Sequence, residues 1–168
     1  MISVAIILAV TIFAIYNVVA IGLFGVPHSL SMTYYLYKNN YNKGWLFPLM
    51  MTIVVALLLP SWITISEGST YQFLSFLAPA SLMFVAAAPA FLNDGMESIV
   101  HSGAAYFAAA CSLLWIILVT PYWWTILLWA VVISITAVCS KTVKSSKIYW
   151  LELIAFVATL ESILLWVI

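Results

Sequence analysis

Four side chains in this sequence have the types and spacing to do chemistry at one place: His28, Asp94, Glu97 and His101. Two imidazoles with one or two carboxylates can hold zinc or iron and leave a position for water, and metal-bound water becomes a nucleophile near neutral pH. Glu97 and His101 stand four residues apart, which puts two ligands side by side on a helix. The same acids have a structural reading. Asp94 as N-cap and Glu97 as the N3 acid would form a capping box favoured by the helix dipole. Capping leaves His101 unaccounted for, one turn farther in. It is expected as a buried neutral imidazole bonded to Asn17, Ser134 or Glu152, with a catalytic or proton-handling role as the alternative. His28, between Pro27 and Ser29, reads as a residue of the lipid headgroup zone, and a haem between His28 and His101 would have to join unlike depths.

These residues must be positioned by elements that lipid selects. Hydrophobic residues make up 67% of the chain and charged residues 6%, and the mean hydropathy is +1.21. Such a chain lacks the polar groups to cover a water-facing surface, so every backbone amide and carbonyl has to be satisfied internally. Long apolar runs point to helices rather than a transmembrane barrel. Net charge is zero and all five basic residues are lysines, which excludes nucleic acid as a partner. Cys111 and Cys139 lie within apolar runs and read as small core residues, not a disulfide.

The expected architecture is all-α, a six-transmembrane-helix bundle forming one domain over residues 1–168. Spans are predicted at about 2–24, 45–65, 72–92, 97–120, 122–140 and 148–168, each suited to a hydrocarbon core of ~30 Å. The first run has no basic segment before it and is expected to be a retained span, not a signal peptide. Between the first two spans, residues 28–44 place Lys38 and Lys43 among Tyr34, Tyr35, Tyr37 and Tyr41, a headgroup-zone composition. The alanine-rich ends of the third and fourth spans, including Gly103, predict the tightest hairpin of the bundle. Lys38, Lys43, Lys141, Lys144 and Lys147 all fall in the first and fifth connections. The positive-inside rule then puts those loops in the cytoplasm and both termini on the non-cytoplasmic side.

Helical periodicity sorts the polar residues by depth and facing. Asp94, Glu97, His101, Ala105, Ala108 and Ser112 return to nearly one angle and form a stripe expected to face the bundle. Asn17, Thr52, His101, Ser134 and Glu152 fall roughly 6 to 10 Å inside the cytoplasmic boundary. This layer predicts a ligand pocket lined by His101, Glu97, Asn17 and Glu152, with Ser112 deeper along the stripe. Glu161 is the most deeply placed acid and shares its level with Thr11 and Ser112, either of which could bond it; an intramembrane acid is a functional candidate by default. Glu152 and Glu161 are nine residues apart, so they point to opposite faces of a straight helix and require two cavities or a subunit interface.

Residues 85–107, with Pro89, a short acidic loop, Ile99-Val100-His101-Ser102-Gly103-Ala104-Ala105 and Phe107, resemble the turn into the fourth helix of FRAG/DRAM-like and related bacterial six-span families. Pro27-His28-Ser29-Leu30-Ser31 resembles the Pro-x-x-Ser stretch after their first span. The resemblance implies a compact six-helix bundle of undefined activity, with His101 as a shared position and cytoplasmic termini, the reverse of what the lysines imply. A more distant similarity is to membrane hydrolases of the alkaline ceramidase and progestin/adiponectin-receptor type, which use three histidines and an acid; this chain has two histidines.

The leading expectation is a noncatalytic membrane protein that binds membrane lipids or another hydrophobic ligand, a membrane-protein partner or a second copy of itself, through a polar pocket open to the cytoplasmic side, with no cofactor. The enzymatic alternative is a zinc- or iron-dependent intramembrane hydrolase acting on lipids through Glu97, His101 and His28. The third class is a proton-coupled transporter or ion channel using Glu161.

Overall fold

The computed structural model describes residues 2–92, 95–139 and 146–167. They form seven helices in the order α1 (Ile2–Phe24), α2 (Thr33–Tyr41), α3 (Leu46–Ile65), α4 (Leu74–Ala87), α5 (Met96–Val119), α6 (Trp124–Cys139) and α7 (Lys147–Val167). Four of them, α1, α3, α5 and α7, are long and apolar enough to cross a membrane; α4 and α6 are apolar but shorter.

Breaks in the helices follow from local chemistry. α4 stops at Ala87, short of the expected 92, because Ala88 precedes Pro89 and is driven out of the helical region to φ −116°, ψ 59°. α2 ends where Asn42 turns left-handed at φ 57°, so that the Asn42 and Lys43 amides close back on Lys38 and Tyr37. Of the headgroup-zone tyrosines of α2, Tyr37 is packed inward, against Tyr16 and Phe24 with centroids 5.7 and 5.1 Å away, while Tyr41 is exposed. Burial, with Tyr41 adding, raises the Tyr37 phenol above its ordinary range.

α3 is the central helix, burying Phe47, Met50, Met51, Val54, Val55, Leu58 and Trp62. α1 buries a stripe of Ile6, Ala9, Phe13, Asn17 and Ala20, at the three- and four-residue steps of one helical face. The remainder of α1 exposes Val4, Ile7, Ile15 and Val18, and α6 exposes Leu127, Val131, Ile135 and Val138. α4 and α5 are the most closely packed pair, while α6 packs chiefly on α7. The close α4–α5 contact does not use Gly103, as the sequence led one to expect: a Cβ there would meet nothing within 4 Å.

Hydrogen bonds gather the α1–α2 connection, the α4–α5 connection and the start of α7 at one end of the bundle. The Tyr149 amide donates to the His28 carbonyl at 3.0 Å, docking the α1–α2 connection on the start of α7. Tyr35 Oη accepts the Leu92 amide at 2.7 Å, bringing the α4–α5 connection to α2. At the other end Trp115 Nε1 donates to Ser66 Oγ at 2.7 Å, and Tyr122 Oη donates to the Leu165 carbonyl at 3.2 Å.

Candidate functional site

The residues expected around one pocket occupy three separate places. Glu97 and His101 hold the α4–α5 connection. Because α4 ends at Ala87, the carbonyls of its last turn lack helical partners. His101 Nδ1 lies 2.7 Å from the Ala88 carbonyl oxygen, which only accepts, so the ring proton sits on Nδ1. The ring also stacks on Phe91, with centroids 4.5 Å apart and planes 18° apart. The expected partners of His101 were Asn17, Ser134 and Glu152; the Ala88 carbonyl takes their place, and Ser134 is exposed. Glu97 Oε1 accepts the Ala90 amide at 3.0 Å. Glu97 thus bonds across the connection; the residue before α5 is Gly95 at φ 122°, which puts Glu97 one position earlier than the N3 acid of the expected capping box. Asp94 lies outside the described residues.

Glu152, Tyr149 and Asn17 form the second place, a seam between α7 and the α1–α2 connection. Glu152 Oε2 accepts the Leu30 amide at 2.6 Å. Ser146 Oγ donates to the Val26 carbonyl at 3.3 Å, and Tyr149 Oη donates to Asn17 Oδ1 at 3.1 Å. Asn17 Nδ2 turns back to the Phe13 carbonyl at 2.8 Å, so both ends of the amide are engaged. His28 contributes its backbone carbonyl and leaves its side chain exposed. Among the described residues no three His, Cys, Asp or Glu side chains converge as a metal site requires. Both cysteines are free thiols, Cys111 buried and Cys139 exposed.

Glu161 is the third place. Its Oε2 accepts the indole N–H of Trp129 on α6, the bond that Thr11 or Ser112 was expected to supply. Thr11 instead turns its hydroxyl back to the Ile7 carbonyl at 2.7 Å, within its own helix.

Two cavities separate the two acids of α7. The first, of about 60 Å³, runs inside the bundle among α3, α4, α5 and α7, touching Glu152, Ser112, Thr159 and Trp62. Among the described residues the buried Trp62 Nε1 has no hydrogen-bond partner. This volume admits a few waters and no lipid. The second is a lateral cleft of about 420 Å³ between α1 and α6, floored by α7. Its size falls in the range of about 300–1,000 Å³ typical of small-molecule sites. Val10, Phe13, Ala14 and Val18 form one wall, Trp129 the other, and Leu153, Val157, Leu160 and Leu164 the floor, with Asn17 and Glu161 as the polar members. His101 and Glu97 line neither cavity; Asn17 belongs to the cleft and Glu152 to the interior.

Trp129 and Tyr149 were not singled out from the sequence. A signal existed for both, since each places a hydrogen-bond donor within an apolar run, where it has to find an acceptor on a neighbouring helix. The backbone acceptor Ala88 carried no side-chain signal. Comparison with protein-family models, with curated proteins and with solved structures finds no match.

Proposed function

We propose that this chain is an integral membrane protein that holds a lipid or other hydrophobic ligand in the lateral cleft between α1, α6 and α7. The observation that carries the proposal is the cleft itself: about 420 Å³, apolar walls, and two polar side chains set among them. Four helices have the length and composition to cross a bilayer, and large apolar side chains cover the outer faces of α1 and α6. In water that surface would be a liability; in lipid it is the expected exterior. α4 and α6 rise about 21 and 24 Å, and with their flanking turns they complete a reading of six crossings, α2 lying along one end. Lys38 and Lys43, on and after α2, and Lys147, at the start of α7, belong to that end, and with Lys141 and Lys144 shortly before Lys147 in sequence the positive-inside rule assigns it to the cytoplasm, with both termini opposite. The ligand site of this reading thus faces the bilayer sideways, in place of the cytoplasm-facing pocket expected from the polar layer.

The test is photo-crosslinking in liposomes with a lipid bearing a diazirine on its acyl chain. Adducts should concentrate on the cleft-facing residues of α1, α6 and α7, Ala14 and Val157 among them. Labelling spread evenly over Ile99, Ile117 and Val138 as well would reject the cleft as a ligand site.

A second reading, proton-coupled transport through Glu161, is supported by the carboxylate standing in the cleft wall with a neutral indole as its partner. Unchanged flux in proteoliposomes carrying Glu161→Gln would remove it.

A further inference from the structure

We propose that the occupant of the cleft is a lipophilic cation, seated with its charge on Glu161 and its apolar substituents along α1. This rests on the cleft being a ligand site and adds the charge of the ligand.

Electrostatic complementarity is the first argument. Glu161 is the one titratable side chain in the cleft lining among the described residues. α1 offers it apolar side chains and Asn17, whose amide is already engaged with Phe13 and Tyr149. α6 offers the Trp129 indole, a neutral donor that takes one carboxylate oxygen. The five lysines all belong to the first and fifth connections or the start of α7, and among the described residues the lining supplies no cation. A carboxylate in an apolar wall gains most from a partner that brings positive charge.

Aromatic placement is the second argument, and it is independent of Glu161. Trp129 on one wall and Phe13 on the other, the latter stacked on Phe156 with centroids 5.1 Å apart, line the cleft with rings, and an indole face is the best of the natural cation–π acceptors. The third is access. The exposed neighbours of the mouth are apolar, Ile7, Ile15 and Val18 on α1 and Leu128 and Val132 on α6, so entry favours a molecule that partitions into the bilayer. An acid, an aromatic pair and an apolar approach together select a cation with hydrophobic substituents.

The experiment is equilibrium binding of tetraphenylphosphonium and of tetraphenylborate, ions of like shape and opposite charge, to the full chain in detergent. The wild type should bind one phosphonium per chain, Glu161→Gln should weaken it at least tenfold, and the borate should not saturate. Equal phosphonium binding by wild type and Glu161→Gln, or borate bound as tightly as phosphonium, would overturn the inference. Should Glu161→Gln fail to fold, the phosphonium and borate contrast in the wild type decides. A brominated neutral diacylglycerol separates the two levels of the argument. If the wild type retains it while showing no preference for the phosphonium, the cleft stands and the cation falls. If Ala14→Trp, which fills the cleft from its exposed wall, retains it as the wild type does, the cleft itself falls.

Discussion

Glu152 accepts the Leu30 amide at 2.6 Å, a bond between residues 122 positions apart in sequence. It fixes the α1–α2 connection to α7 and provides the leading amide of the turn into α2 with an acceptor. Removing the acceptor leaves a buried N–H without a partner, a loss of about 1–3 kcal/mol. Glu152→Leu should therefore lower stability in detergent by about that amount, whereas Glu152→Gln keeps an acceptor and should lose less. Equal unfolding temperatures for Glu152→Leu and wild type would show that this bond does not hold the connection.

His101 has the same kind of task at the α4–α5 connection. Its ring ties down the Ala88 carbonyl and covers Phe91. His101→Ala should cost about 2 kcal/mol or more through the lost bond and the lost stack, and it should speed proteolysis between residues 88 and 92. Ligand occupancy of the cleft should survive at temperatures where the variant is folded. Loss of ligand with full stability would instead make His101 part of the functional site.

The glycines give opposite predictions at two positions. A Cβ on Gly44 would come within 2.9 Å of Tyr34 Cε2 and 3.1 Å of Lys38 Cβ. Tyr34 also packs edge-on against Tyr35 and carries the Lys38 ammonium 5.5 Å from its ring centroid, so it has little freedom to yield. Gly44→Ala should destabilise by about 1–3 kcal/mol. Gly103 sits within α5 facing open space, and Gly103→Ala should be neutral or gain up to about 1 kcal/mol from helix propensity. Thermal unfolding of the two variants side by side checks this, and a large loss at Gly103 would mean that a helix does approach there.

Among the described residues, the Trp129 bond to Glu161 and the Thr125–Ser162 pair at 3.0 Å hold α6 to α7. Trp129→Phe keeps an aromatic wall and removes the donor. It should raise amide exchange along α6 several-fold and leave α3 and α4 unaffected. Uniform exchange changes through the bundle, or none, would contradict the assignment of that bond as the α6 anchor.

What the sequence made legible was periodicity. The bounds of α1, α3, α5 and α7 follow from apolar runs closed by Gly25, Ser66, Thr120 and the basic loop, and the structure places those helices within a residue or two of the expected limits. The opposite facing of Glu152 and Glu161 follows from their nine-residue spacing, and they do line different cavities. The polar partners were not legible, because depth and facing describe single helices. His101 and Glu97 bond to backbone that Pro89 frees, and which carbonyl or amide lies opposite a side chain depends on how α4 ends. The grouping of Asn17 with His101 failed similarly: equal depth along two helices does not bring them to the same side of the bundle.

Whether the lateral cleft holds a ligand drawn from the bilayer is decided by native mass spectrometry of the detergent-purified chain, comparing wild type with Ala14→Trp at matched thermal stability. One hydrophobic molecule should be retained per wild-type chain and none on the filled variant. Equal retention by both proteins, or none by either, would rule the cleft out as a ligand site.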